Sequence, residues 1–75
     1  MDNSFSLYWW DEQDQAYDEL RFVGVEQAIS RAKTLMQSPA AKIGIIKRII
    51  ITDGDDYTNF EWKADEGIIF PKPTV

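Results

Sequence analysis

The chain contains no cysteine and no histidine. Without cysteine no disulfide can staple the core and no thiol chemistry is available. Without histidine the commonest general base, the commonest zinc ligand and the usual near-neutral pH switch are all missing. Long apolar runs are lacking as well. The densest, around Ile49-Ile50-Ile51, falls far short of a membrane span. The opening Met1-Asp2-Asn3-Ser4 has no basic region of the kind a signal peptide needs. These absences point to a cytoplasmic chain with no membrane segment, no metal and no cofactor.

What is present is apolar and aromatic. Hydrophobic residues make up 44% and aromatics 13% of the 75 residues, too rich for a disordered chain. That length makes one domain, close to the lower limit for a core that supports itself. Order is expected over about residues 4–70, with 71–75 as a flexible tail.

Charge is unevenly spread along the chain. Residues 1–26 hold seven acids against Arg21 alone, and residues 53–75 hold six against Lys63 and Lys72. Between them, residues 27–52 carry Arg31, Lys33, Lys42, Lys47 and Arg48 and no acid. Such blocks either interleave into ordinary surface ion pairs or give the molecule a basic and an acidic side.

Phe5 to Trp10 alternates, with Phe5, Leu7 and Trp9 on one face and Ser6, Tyr8 and Trp10 on the other. A polar interruption over residues 11–15 separates this run from a second alternating run, Ala16 to Val23. The pair reads as a β-hairpin. Its core face is Phe5, Leu7, Trp9, Leu20 and Phe22, and its opposite face carries Tyr8, Trp10 and Tyr17.

After Gly24 the period becomes helical. Val25, Ala28, Ile29, Ala32, Leu35 and Met36 form one apolar stripe, which predicts a helix over Val25–Gln37 stopped by Ser38-Pro39. Ala40 to Gly44 leaves room for one more helical turn. Ile45 to Thr52 is the densest β-branched run and ends on Asp53-Gly54, a strong turn signal. A strand so apolar on both faces belongs inside a sheet. Thr58, Phe60 and Trp62 then alternate with Asn59, Glu61 and Lys63 as a fourth strand. Ile68-Ile69-Phe70, after the turn at Asp65-Glu66-Gly67, is a candidate short fifth strand.

The expected fold is α+β, an antiparallel four- to five-stranded sheet with one helix on one face. The element order is ββαββ, with or without a short C-terminal strand. Strand order 2-1-3-4 keeps every pair antiparallel, whereas 1-2-3-4 would need a parallel pair.

The run Arg48-Ile49-Ile50-Ile51-Thr52-Asp53-Gly54-Asp55, continuing through Asn59-Phe60-Glu61-Trp62 to Gly67 and Pro71, resembles the C-terminal half of small proteobacterial proteins with no assigned activity. The likeness covers roughly residues 44 to 71. It implies a bacterial source and a self-contained small domain, and it transfers no site residues.

The acidic loop after Asp53 invites comparison with a calcium loop, but Tyr57, Thr58 and Ala64 stand where an EF-hand needs a ligand, a glycine and a bidentate glutamate. An Asp-rich turn bonded to its own backbone is the simpler reading. No nucleophile motif or phosphate loop accompanies the carboxylates, so no catalytic residue is assigned and no enzyme is expected. Because alternation sends Trp9 and Trp10 to opposite faces, one of them must lie on the side the helix leaves uncovered. Tyr8, Trp10 and Tyr17 are therefore the candidate interaction surface, joined by Ile46 or Ile50. The expected function is a non-enzymatic interaction module that pairs with another protein or a second copy of itself. The alternative is a nucleic-acid-related accessory protein. It would bind through Arg31, Lys33, Lys42, Lys47 and Arg48, or act as an acidic DNA mimic.

Overall fold

A computed structural model describes residues 3–71. The elements follow as β1 (Phe5–Asp11), β2 (Ala16–Val23), α1 (Val25–Met36), α2 (Pro39–Lys42), β3 (Ile46–Thr52), β4 (Thr58–Lys63) and β5 (Gly67–Phe70). The fold is α+β. All five strands pair antiparallel in one open sheet of order β2-β1-β3-β4-β5, and α1 lies on one side of it. The expected ββαββ pattern is thus extended by a fifth strand and a one-turn helix. Residues 72–75 of the expected tail lie outside the described residues. Among the described residues, no helix is long and apolar enough to cross a membrane.

β3 is central because it is apolar on both sides. Its pairing with β1 sets Ile51 opposite Leu7 and Ile49 opposite Trp9, and these residues face α1. Leu7, Ile49 and Ile51 are the largest fully buried side chains. From the helix come Ala28 and Ala32, whose small side chains let α1 lie close to the strands. Ile46 and Ala41 close the core at the α2 end.

The connection after α1 has a local cause. Ser38 caps α2, its Oγ accepting from the Ala41 amide at 3.2 Å, and Pro39 opens the new turn. The same hydroxyl donates to the Leu35 carbonyl at 2.6 Å, so one side chain satisfies the end of α1 and the start of α2.

Strand β2 departs from strict alternation. Its pairing with β1 shifts register twice, between Phe5 and Leu7 and between Leu7 and Tyr8. Phe22, expected in the core, has φ 58° and is 73% exposed. A left-handed backbone in an irregular stretch turns its ring out of the layer it was assigned to. The helix stripe also needs correcting: α1 ends at Met36, and Val25 and Ile29 are 43% and 42% exposed rather than buried.

Candidate functional site

The sheet has two faces of different character. On the face away from α1, register places Tyr8 opposite Ile50 and Trp10 opposite Arg48. Glu61 lies opposite Ile50 from the other side. The Arg48 guanidinium sits 5.0 Å from the centroid of the Trp10 ring, and its Nε donates to Glu61 Oε2 at 2.9 Å. Cation and carboxylate thus extend over the indole and along the strands, and Ile50 between them is buried. Tyr8 and Trp10 are themselves half-buried. Arg21, ion-paired to Asp18 at 3.6 Å, is pushed up from its usual basicity, first by its contact with the Tyr8 hydroxyl.

Tyr17 does not belong to this face. It stands directly opposite Trp9, and the two rings stack with centroids 4.3 Å apart. The expected surface of Tyr8, Trp10 and Tyr17 is therefore divided by the sheet, two residues below and one above. The bulge near Glu19 is the reason, because one extra residue reverses which side every earlier position faces.

The five expected cations do not form one patch either. Arg31 is on α1, bonded to Glu19 Oε2 at 2.8 Å. Arg48 is on the opposite face, bonded to Glu61. Lys33 lies on the flank of α1 and Lys42 ends α2. Lys47 joins Arg48 and a residue not expected there, Lys63, in a hollow of about 280 Å³ beside Trp10 that also contains Asp14 and Asp65.

The two long hairpin loops are built alike. Asp11 Oδ1 accepts from the amides of Gln13 and Gln15, both at 2.9 Å. Asp53 Oδ1 accepts from the amides of Asp55 and Tyr57 at 2.9 and 3.1 Å. Each carboxyl is held below its ordinary range. For Asp11 the main cause is the Gln15 amide, followed by the Tyr17 hydroxyl, which donates to Oδ2 at 2.8 Å. For Asp53 it is the Asn59 side chain, helped by the two amides. The acidic loop thus bonds its own backbone, and among the described residues no group of three or more acids could hold a metal ion.

Exposed apolar surface gathers elsewhere, beside α1. The backbone of α1 packs over β1, β2 and β3 and stops short of β4 and β5. Its β2 flank is polar, a hollow of about 380 Å³ containing the Glu19–Arg31 ion pair. Its other flank is apolar. A hollow of about 270 Å³, lined by Val25, Ile29, Ile51, Asn59, Phe60 and Pro71, continues into one of about 70 Å³ bounded by Ala32, Lys33, Met36 and Ile68. Ile29, Ile51 and Phe60 belong to both, so the two form one groove between α1 and the β4–β5 hairpin.

No family model, no curated protein and no solved structure matches the chain. The groove is therefore read from its own chemistry.

Sequence patterning missed it because the helix stripe is wider than the helix's contact with the sheet. Val25 and Ile29, at i and i+4 on one edge of the stripe, reach past the last strand that α1 covers. The available signal was their size: the buried line of α1 is alanine, whereas its edge toward β4 is Val and Ile.

Proposed function

We propose that the chain is a non-enzymatic protein-interaction module working through the groove between α1 and the β4–β5 hairpin. One observation carries this reading. Val25, Ile29 and Ile68, each between 42% and 43% exposed, flank a continuous apolar groove, whereas the hollow at Glu19 and Arg31 and the one at Lys47 and Arg48 are lined with charge. Contiguous apolar grooves on small domains commonly mark contact surfaces. The partner is another protein chain or a second copy of this one. The setting we propose is the bacterial cytoplasm, on the sequence grounds given above.

A photoreactive phenylalanine analogue at position 29 or 68, irradiated in living cells, tests the reading. Both positions should cross-link to the same partner, while the analogue at position 21, on the far face, should not. No cross-link from either groove position overturns it.

A nucleic-acid-related role is the second reading, supported by Lys47, Arg48 and Lys63 around the Trp10 ring. Retention on heparin that falls when Lys47 and Lys63 are both replaced by glutamine would favour it.

A further inference from the structure

A second site lies at one end of the sheet face away from α1, apart from the groove and independent of it. Register sets Trp10, Arg48 and Lys63 in one row across β1, β3 and β4. Beside that row the β1–β3 pairing slips, because Trp10 stands opposite Arg48 but Asp11 stands opposite Ile46. Lys47 is thus an extra residue on β3, and a bulge of this kind re-aims a side chain. Strict alternation would send Lys47 to the opposite face from Arg48. Instead Ile46 is buried in the core, and the exposed Lys47 lines the hollow of about 280 Å³ with Trp10, Arg48 and Lys63.

Three cations therefore share one hollow, and they are unequally paired. Arg48 is held from two sides, since Glu61 accepts from its Nε at 2.9 Å and the Trp10 ring centroid is 5.0 Å away. A guanidinium oriented in advance loses little freedom when an anion arrives. Lys47 and Lys63 have no ion-pair partner among the described residues. Glu61 offsets one of the three charges and leaves two. Asp14 and Asp65, both exposed, line the same hollow without pairing to either lysine. They limit what can enter. A nucleic-acid strand would carry its successive phosphates past these carboxylates. A single compact anion can meet the two lysines and leave the carboxylates in water.

We infer that this hollow binds a small phosphate monoester, with Lys47 and Lys63 as counter-charges, Arg48 as the positioned donor and the Trp10 indole beside the organic group. The charge matches, because two unpaired ammonium groups face a phosphate that carries close to two negative charges at neutral pH. An arginine donates to phosphate oxygens with charge-assisted hydrogen bonds. The volume matches too. About 280 Å³ lies just below the range of pockets for drug-sized ligands, which leaves room for a phosphate and about one ring.

The test uses the full chain, isotopically labelled, with phenyl phosphate, phenyl sulfate and a short oligodeoxythymidylate as probes at low ionic strength. Phenyl phosphate should shift the amide resonances of Lys47, Arg48 and Lys63 and the indole N–H of Trp10 saturably. It should bind roughly fivefold or more tighter than phenyl sulfate, which has the same shape and one charge fewer. The Lys47→Gln, Lys63→Gln double variant should bind phenyl phosphate about tenfold or more weakly while melting like the wild type. The two small probes are compared on the wild type, so that comparison stands even if the double variant loses its fold. Equal affinity for the two, no saturable shift, or shifts confined to residues away from the hollow would overturn the inference. Undiminished binding by a folded double variant would do the same. Saturable binding of the oligonucleotide with none of phenyl phosphate would overturn it in favour of the nucleic-acid reading. Failure here leaves the cross-linking from positions 29 and 68 untouched.

Discussion

The rings of Trp9 and Tyr17 stack across the β1–β2 pair, with planes 19° apart. That contact fixes which tryptophan faces the helix side and removes Tyr17 from the surface it would otherwise share with Trp10. The Trp9 indole also donates to Glu19 Oε1 at 3.1 Å, while Glu19 Oε2 accepts from Arg31. One carboxylate thus ties β1 and β2 to α1.

Replacing Glu19 with alanine should cost roughly 1–2 kcal/mol, because it leaves the half-buried indole N–H without its acceptor. A double-mutant cycle with Arg31→Ala should return a coupling of only about 0.5–1 kcal/mol, since the arginine is half exposed. Denaturant melts of the four proteins measure both. Zero coupling would mean that the ion pair contributes nothing to holding α1.

Core and groove should separate cleanly in mutational cost. Ile49→Ala, at a fully buried site, should lose about 2–5 kcal/mol, enough to threaten so small a domain. Ile29→Ala should lose less than about 1 kcal/mol, because much of that side chain already meets water. Equal losses in urea melts would place Ile29 in the core and close the groove.

Stability should fall in acid through two loops. Asp11 and Asp53 both have folded-state values below the ordinary carboxylate value of about 3.9. Their contribution is therefore complete above that value and is lost as pH drops through the lower, folded one. Asp11→Asn and Asp53→Asn keep a side-chain oxygen for the amides but cannot titrate, so each should flatten the melting-temperature curve below about pH 4. A double variant with an unchanged acid limb would show that other carboxylates dominate it.

Calcium should find no specific site in the Asp53–Asp56 loop, because Asp53 Oδ1 is already engaged by two amides. Calorimetric titration at sub-millimolar calcium should give only weak, unsaturable heat. A saturable isotherm abolished by Asp55→Ala would refute this.

Most of the architecture was legible in the residues. The β-branched run from Ile45 placed β3 inside the sheet, and the preference for antiparallel pairs gave the order in which β1 lies between β2 and β3. The fifth strand reads only as a candidate in the residues, because Gly67–Phe70 is so short, with Pro71 directly after it. Facing was harder to read than order. Alternation carries side assignments along β2 only while each residue has a partner, and the register shift between Leu7 and Tyr8 reversed Tyr17 relative to Leu20. The groove was hidden for a different reason. A stripe on a helix says which side chains are apolar, not how far the sheet extends beneath them.

The groove can be set directly against the aromatic face by capture from a lysate of the host cell. The baits are immobilised wild type, an Ile29→Glu, Ile68→Glu double variant and Trp10→Ala, with sedimentation velocity to detect self-association and thermal melts as the folding control. The wild type should retain a partner or associate with itself. The groove variant should lose at least about tenfold of that binding while still melting cooperatively, and Trp10→Ala should keep it. Retention by the groove variant together with loss in Trp10→Ala would contradict the account and return the interface to the face of Tyr8 and Trp10.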